Sequence, residues 1–400
     1  MSSTPTVRWG ILATGGIALT FTKDLLLDPA TRGVSSVKHT VVAAASSSSK
    51  SRAEAFLKEV AAPSDAKAYG SYEEFAEDPN VDIVYIATPH SHHYQNARLC
   101  LEAGKHVLCE KAFTVNAAQA RKLAEIAKEK NLFLMEAVWT RYFPLSIYVR
   151  EQITSGRIGH IARVISDNSM ALDPEKSFTD GKHRMVNPDL AGGALLDLGI
   201  YALTWVFQTL YHTQPEKTRQ PPKLLAFVKP YRGTGNADEH STMILNFPRS
   251  EEEGGDAHAV ATTSLRVATS PGASQDTPCV RIQGPKGEIQ VFPPSFRPTK
   301  TKLILSDGTI EEKDWVYPGP GKGSNWYSGF GDSQHSEGEG RGMFWEADEA
   351  AEAILTGRKE AKFENLDESI LIMEIMDEVR RQGGLEYPSK IETLDYPVQL

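Results

Sequence analysis

Residues Val7 to Phe21 read VRWGILATGGIALTF: a run rich in Val, Ile and Leu passes through a glycine pair into residues that return at helical spacing. A strand entering a helix across such a turn presents backbone N–H groups to an anion. The glycines lack the Cβ atoms that would bar close approach, and the helix N-terminus favours negative charge. Against the spacing G-x-G-x-x-G the turn reads Ala13, Gly15, Ala18. Alanine suits the third position, where helix packs on strand, and is a departure at the first. In isolation this would describe a tight turn and nothing more. The context adds to it: HTVVAAAS, DIVYIATP, HVLCE and LFLMEA follow, separated by helix-period segments at Ile17 to Leu27, Lys50 to Val60, Tyr94 to Ala103 and Ala117 to Lys130, the last opened by Asn116 as N-cap. This alternation over the first 136 residues predicts an α/β domain with a parallel sheet. Thr14, Gly15, Gly16, Ile17 and Ala18 become candidate ligands of a dinucleotide pyrophosphate.

The whole chain has 400 residues, more than one core usually holds, so two domains are expected. A net charge of −9 argues against binding nucleic acid. Cys100, Cys109 and Cys279 imply neither a disulfide framework nor a metal site, as in a reduced cytoplasmic enzyme. No secretory signal is expected from MSSTPTVRW, and no membrane span from ALLDLGIYALTWVFQTL, which Asp197 interrupts. After residue 140 the pattern changes to alternating strands at Ile161 to Asn168, Leu224 to Lys229, Thr242 to Phe247, His258 to Ala268, Val280 to Gln283 and Thr301 to Leu305. They predict a large, mostly antiparallel, open-faced sheet, with one helix, Ala194 to Leu210, covering one face and a second subunit expected on the other. The division is therefore residues 1–140 for nucleotide and 141–400 for substrate binding and dimerisation. Two terminal helices, Met343 to Leu355 and Leu366 to Arg381, have the option of returning to the first domain. Thr213 to Pro222 and Arg249 to Asp256 read as solvated loops. The glycine-rich segment Pro318 to Gly340, with Trp326, Tyr327 and Phe330, stays open between lid, interface and linker.

Where NAD-binding chains usually place an acidic residue after the second strand, this one has Ser46, Ser47, Ser48, Ser49, Lys50, Ser51 and Arg52. Hydroxyls and cations there suit a 2′-phosphate, so NADP is expected over NAD, with Ser46, Ser47 and Arg52 as contacts. A capped helix start explains one or two of the serines but not the missing carboxylate. The histidines in IATPHSHH invite a metal reading; without a nearby carboxylate or Cys at ligand spacing, packing at the cofactor edge suits them better, and no metal is expected. Lys111, in CEKA, follows the fifth strand at the end where doubly wound sheets place their chemistry, either as a proton relay of reduced basicity or as an ion pair with Glu110. Asp197 and Tyr201 lie four apart in GGALLDLGIY and so share a helix face; two titratable groups on an apolar helix mark a site unless each is simply hydrogen-bonded in the core.

Together ILATGGIA, ATPHSHH, CEKAFTVN, MEAVWTRYFP and AGGALLDLGIY resemble, in order and spacing, the glucose-fructose oxidoreductase, inositol dehydrogenase and rhizopine-catabolism family over nearly the whole chain. The most similar branch is that of the dimeric dihydrodiol dehydrogenases and NADP-dependent D-xylose dehydrogenases. The resemblance implies a Rossmann domain followed by an open-faced sheet domain, NADP-linked oxidation of a sugar, polyol or diol, and a homodimer formed through the sheets. By position it implies that Lys111 assists proton transfer near the nicotinamide, that Tyr201 is the general acid/base, and that Asp197 positions substrate beside it. Trp139 and Arg141 would line the pocket and approach the cofactor, with Thr88, Pro89, His93 and Glu110 on the cofactor side; Arg184 would meet substrate hydroxyls. Ala112 replaces the family's proline. The expected chemistry is hydride transfer from a carbinol carbon, best an aldose C1 giving the lactone, to NADP, with Tyr201 acting as a phenolate made more acidic by Lys111. Alternatives are oxidation of trans-dihydrodiols, carbonyl reduction, or a non-catalytic NADP-binding regulator.

Overall fold

A computed structural model of the chain describes residues 4–329 and 337–400; Phe330 lies outside them. The first sheet contains β1 (Thr6–Leu12), β2 (Lys38–Ala45), β3 (Lys67–Tyr69), β4 (Ile83–Ile86), β5 (His106–Glu110) and β6 (Leu134–Ala137). All its pairings are parallel and the order is β3-β2-β1-β4-β5-β6. Between the strands run α1 (Gly16–Leu25), α2 (Lys50–Glu59), α3 (Tyr72–Ala76), α4 (His90–Glu102) and α5 (Ala117–Glu129). Strands β4 and β6 are buried at every position, as continuous apolar runs covered on both faces should be. Asn116 caps α5 by accepting the Gln119 N–H at 2.9 Å. Strand β3 was not foreseen: KAY is a short, partly exposed edge strand with no apolar run. The order reverses between β1 and β4, which opens a crevice beyond their carboxyl ends.

The chain continues through α6 (Pro144–Thr154), β7 (Arg163–Asp167), α7 (Pro174–Ser177), α8 (Ile200–Leu210), β8 (Lys223–Pro230), β9 (Asp238–Phe247), β10 (Ala257–Ser264), β11 (Val280–Gly284), β12 (Gly287–Val291), β13 (Lys300–Leu305) and β14 (Ile310–Asp314). Its eight strands follow the order β14-β13-β12-β11-β7-β10-β9-β8, antiparallel except for β7 beside β10. Strands β12 and β14, GEIQV and IEEKD, are too polar to signal themselves in sequence. The expected single helix from Ala194 is corrected: Leu195–Gly199 forms a π turn before regular α8 begins. Helix α8 packs on β7 and β10. On the other face Leu225 and Phe227 are exposed, Phe227 to 75%.

Helices α9 (Phe344–Thr356), α10 (Leu366–Gly383) and α11 (Ser389–Glu392) close the chain. The entry to α9 is fixed by Asp24 of α1, which accepts the N–H groups of Arg341, Gly342 and Met343 at 2.8–3.0 Å. Arg32 and His39 bind Asp348 of α9, and α10 packs on both α5 and β8. The terminal helices thus touch both sheets. Arg249 to Asp256 is less irregular than expected, since Ser250 and Glu253 form a capping box over a short 3-10 turn. Among the described residues no helix is long and apolar enough to cross a membrane.

Candidate active site

Beyond β1 the backbone turns through Ala13 at φ 81°, in the left-handed region, while its N–H reaches Ala45 O at the end of β2 (3.1 Å). Gly15 is the N-cap of α1 and offers no side-chain acceptor, so the first-turn N–H groups are left for an anion. A Cβ at Gly15 would meet nothing within 4 Å. This open ground belongs to a cleft of about 210 Å³ lined by Thr14, Gly15, Gly16, Leu19, Arg52 and Phe56, and also by Glu59, a carboxylate the sequence reading passed over. Arg52 is exposed and forms no ion pair among the described residues. The serines divide: Ser46 bonds Ser48 (3.0 Å), Ser49 caps α2 and bonds Ser51 (3.0 Å), and Ser47 remains exposed. The uncapped helix end, the unpaired guanidinium and the absence of a carboxylate after β2 fit the phosphates of NADP. Ile17 is half-buried; Ala18 is fully buried and packs the helix against the sheet.

Across the crevice, Lys111 extends from the end of β5 to the π turn, where its Nζ donates to Asp197 Oδ1 (2.9 Å) and Asp197 O (2.8 Å). The same Oδ1 accepts Arg184 Nη1 at 2.8 Å. Lys111 Nζ stands 4.9 Å from the centre of the Tyr201 ring. Tyr201 Oη accepts the Trp139 indole N–H at 2.6 Å, which leaves the phenolic proton free to be donated. Phe296 completes an aromatic wall with Tyr201 and Trp139, at ring separations of 5.8 and 6.3 Å. Phe143 stands behind Trp139, fully buried.

The electrostatics favour an ion pair for Lys111, with Asp197 as its nearest partner, and reverse the expectation for Tyr201. Burial opposes charge on Lys111, but Asp197, Tyr201 and Glu110 together outweigh it and hold the amine above its ordinary value. It is no relay of reduced basicity. Burial likewise pushes Tyr201 up to about 12, and the Lys111 cation only moderates the rise, so the resting group is a phenol and not a phenolate. Asp197 is held well below the carboxylate range: burial would raise it, and Arg184, Lys111 and His90 overcome that.

Three expected cofactor contacts are placed elsewhere. Arg141 is 0% exposed; it donates to Phe363 O (3.1 Å) and bonds the Glu368 carboxylate, a partner from α10, and so does not reach the cleft. His93 is buried between Thr88 O and Ala112 O, each 2.9 Å from a ring nitrogen; burial lowers it to about 4, so the neutral ring serves one carbonyl at a time and neither nitrogen is free. Glu110 accepts the Lys111 N–H (3.1 Å) and the Tyr85 hydroxyl, which props the strand end. Thr88 is buried, and exposed Pro89 opens α4. The Lys111–Ala112 peptide is cis, with alanine in place of proline. Asp238 was missed: fully buried, it accepts the Leu195 N–H (2.9 and 3.1 Å) and caps the π turn that carries Asp197. A Cβ at Gly193 would come within 2.1 Å of this carboxylate, which is the reason for glycine there. Of the glycine-rich segment, Tyr327 O accepts from Lys23 Nζ (3.2 Å) and Gly329 stands beside Leu19 of α1.

A doubly wound sheet with an open anion cradle at its switch point, whose β5 end meets the π turn and α8 in a buried Lys–Asp–Tyr cluster, defines a dinucleotide-dependent oxidoreductase. The chain belongs to the GFO/IDH/MocA family: residues 7–138 match the oxidoreductase family with an NAD-binding Rossmann fold, and residues 147–290 its C-terminal domain. It is 55% identical to a D-xylose 1-dehydrogenase (NADP(+)) of Hypocrea jecorina, over 97% of this chain and 95% of that one. It is 35% identical to the human trans-1,2-dihydrobenzene-1,2-diol dehydrogenase, over 96% and 98%. Among solved structures, an aldose-aldose oxidoreductase from Caulobacter crescentus complexed with glycerol superposes with TM-score 0.70 at 21% identity, over 95% of this chain and 98% of that one. At that identity the likeness concerns the fold.

Proposed function

We propose that the protein oxidises an aldose, D-xylose first, at its anomeric carbon with NADP and releases the lactone. The observation that carries this is the buried Lys111–Asp197–Tyr201 cluster beyond β5, in a chain whose cleft at the β1–α1 turn holds one guanidinium, Arg52, without an ion-pair partner among the described residues. The 55% identical relative named for D-xylose supports the substrate. NADP, when bound, supplies the acceptor carbon for the hydride. The Gly15–Ala18 turn holds the pyrophosphate through its N–H groups, and Ser47 and Arg52 take the 2′-phosphate. For oxidation Tyr201 first gives its own proton to solvent, and the phenolate fraction then accepts the carbinol proton as hydride leaves for the nucleotide. The Trp139 N–H and the Lys111 cation stabilise the negative charge of that phenolate, so Lys111 acts by its field. Asp197 locks both cations in place and leaves Arg184, half exposed, to meet sugar hydroxyls.

A second reading, oxidation of trans-dihydrodiols, is favoured by the Trp139 and Phe296 wall, which suits an apolar ring. Carbonyl reduction draws on the same resting phenol as a proton donor. We assign nucleotide binding to residues 1–140 and substrate binding to 141–400, with a homodimer through the face bearing Leu225 and Phe227, in the cytoplasm. The test is NADPH formation at 340 nm with NADP or NAD against D-xylose, D-glucose, other aldoses, a trans-dihydrodiol and simple polyols. Turnover of an aldose with NADP supports the reading, turnover of the diol alone favours the second, and NADP binding without any turnover rejects both.

A further inference from the structure

The three histidines after β4 have different surroundings. His92 bonds Ser91 (2.8 Å) and His93 is enclosed by two carbonyls, whereas the His90 ring has no hydrogen-bond partner among the described residues. His90 is nevertheless fixed. It stands edge-on to His93, with 5.6 Å between centroids and an interplanar angle of 79°, and His93 is itself pinned between Thr88 and Ala112. Its orientation is held without engaging either of its own nitrogens. It is the first residue of α4, at the switch point of the sheet, where Ala87 N–H bonds Leu12 O (3.0 Å) and brings the ends of β4 and β1 together. Asp197, Lys111 and Arg184 all act on it electrostatically, and it is half-buried.

The possible uses of such a ring narrow quickly. No group of three His, Cys, Asp or Glu side chains suited to a metal exists among the described residues, and two neighbouring cations would repel one. Burial, against the pull of Asp197, lowers the imidazole to about 3, so it does not carry protons near neutrality. A fixed, neutral imidazole offers one donor and one acceptor, the complement of a hydroxyl group. We propose that His90 reads the substrate: its imidazole exchanges a hydrogen bond with a non-reacting hydroxyl of the sugar and so favours polyhydroxylated substrates over apolar diols. This rests on the aldose reading above.

The test is steady-state kinetics of wild type, His90→Leu and His90→Asn on D-xylose and its monodeoxy analogues, with the NADP Kd measured by fluorescence and folding checked by thermal melting. His90→Leu is expected to raise KM for D-xylose about tenfold, the size of one neutral hydrogen bond, with kcat within about twofold and the NADP Kd unchanged. His90→Asn, which keeps a donor and an acceptor, recovers part of the loss. On one monodeoxy analogue the penalty disappears, because the hydroxyl that His90 reads is absent. An NADP Kd that weakens in step with KM, an equal penalty on every analogue, or no penalty at all would overturn the assignment. A wild type that turns over no aldose fails at the earlier step: the functional reading falls and His90 falls with it. Aldose turnover unaffected by His90→Leu sinks the His90 proposal alone.

Discussion

Two buried ion clusters in this molecule share their chemistry and differ in what they face. Around Asp197, Lys111 is nearly covered while the Arg184 side chain is 47% exposed. Around Arg141, the guanidinium, Glu364 and Glu368 are all sealed. Burying charge costs several kcal/mol per ion unless partners are well placed. At Arg141 the partners arrive from the start of α10, and the cluster clasps the chain's end to the region after β6. At Asp197 one side is left open, and the charge held there is available to something that enters. Burial alone therefore does not mark a site; burial with an unfinished edge does.

The largest expected effect is at the open cluster. Tyr201→Phe should lower kcat by about 10²- to 10⁴-fold, the usual worth of a positioned acid/base, with the NADP Kd and the melting temperature nearly unchanged. Retained turnover would show that the proton leaves by another group. Arg141→Ala should do the opposite. It strands two carboxylates in the interior and should cost about 3–5 kcal/mol of stability, visible as a lower denaturation midpoint, while any folded fraction binds NADP normally. If Arg141→Ala spared stability and weakened nucleotide binding, the contrast between the two clusters would collapse.

This contrast also shows where sequence reasoning succeeds. The β1–α1 turn is local, so glycines, spacing and flanking periodicity announce it, and Asp197 with Tyr201 could be paired because four residues separate them. Arg141, which the resemblance implies as a pocket residue, is instead engaged by Glu368, a partner 227 residues away that nothing local announces. Strands β12 and β14 pair through polar residues and give no period of their own. Asp238, which caps the π turn from another strand, is invisible for the same non-local reason. Sequence leaves Lys111 open between relay and ion pair and makes Tyr201 too acidic, because burial and the sum of neighbouring charges exist only in the fold.

Those signs predict a pH dependence. With the phenol near 12, the fraction of Tyr201 able to accept a proton rises about tenfold per pH unit below that value. kcat/KM for aldose oxidation should therefore climb from neutral pH into the alkaline range, whereas carbonyl reduction, which uses the phenol, should stay level there. An oxidation profile flat from pH 7 to about 9 would mean that a bound substrate resets the phenol. Arg52→Ala probes another unfinished edge: the loss of a charge-assisted contact should weaken NADP by about 10-fold or more and NAD little. Equal losses for both nucleotides would remove Arg52 from the 2′-phosphate site.

The smallest effect concerns the backbone at the cradle. Ala13 takes φ 81°, a region where a Cβ costs about 1–2 kcal/mol, and it occupies the position where the dinucleotide fingerprint has glycine. The turn holds its shape because its N–H is tied to Ala45 O and the strands on either side are buried. Ala13→Gly would remove the strain but enlarge the freedom of the unfolded chain, a loss of about 0.4–1 kcal/mol. The two terms nearly offset. The expected outcome is a stability gain below about 1 kcal/mol, read as a small rise in melting temperature, with the NADP Kd unchanged because the N–H groups already point as they must. A lower melting temperature would mean that the methyl group contributes packing that outweighs its strain, and that alanine at the first fingerprint position stabilises this turn.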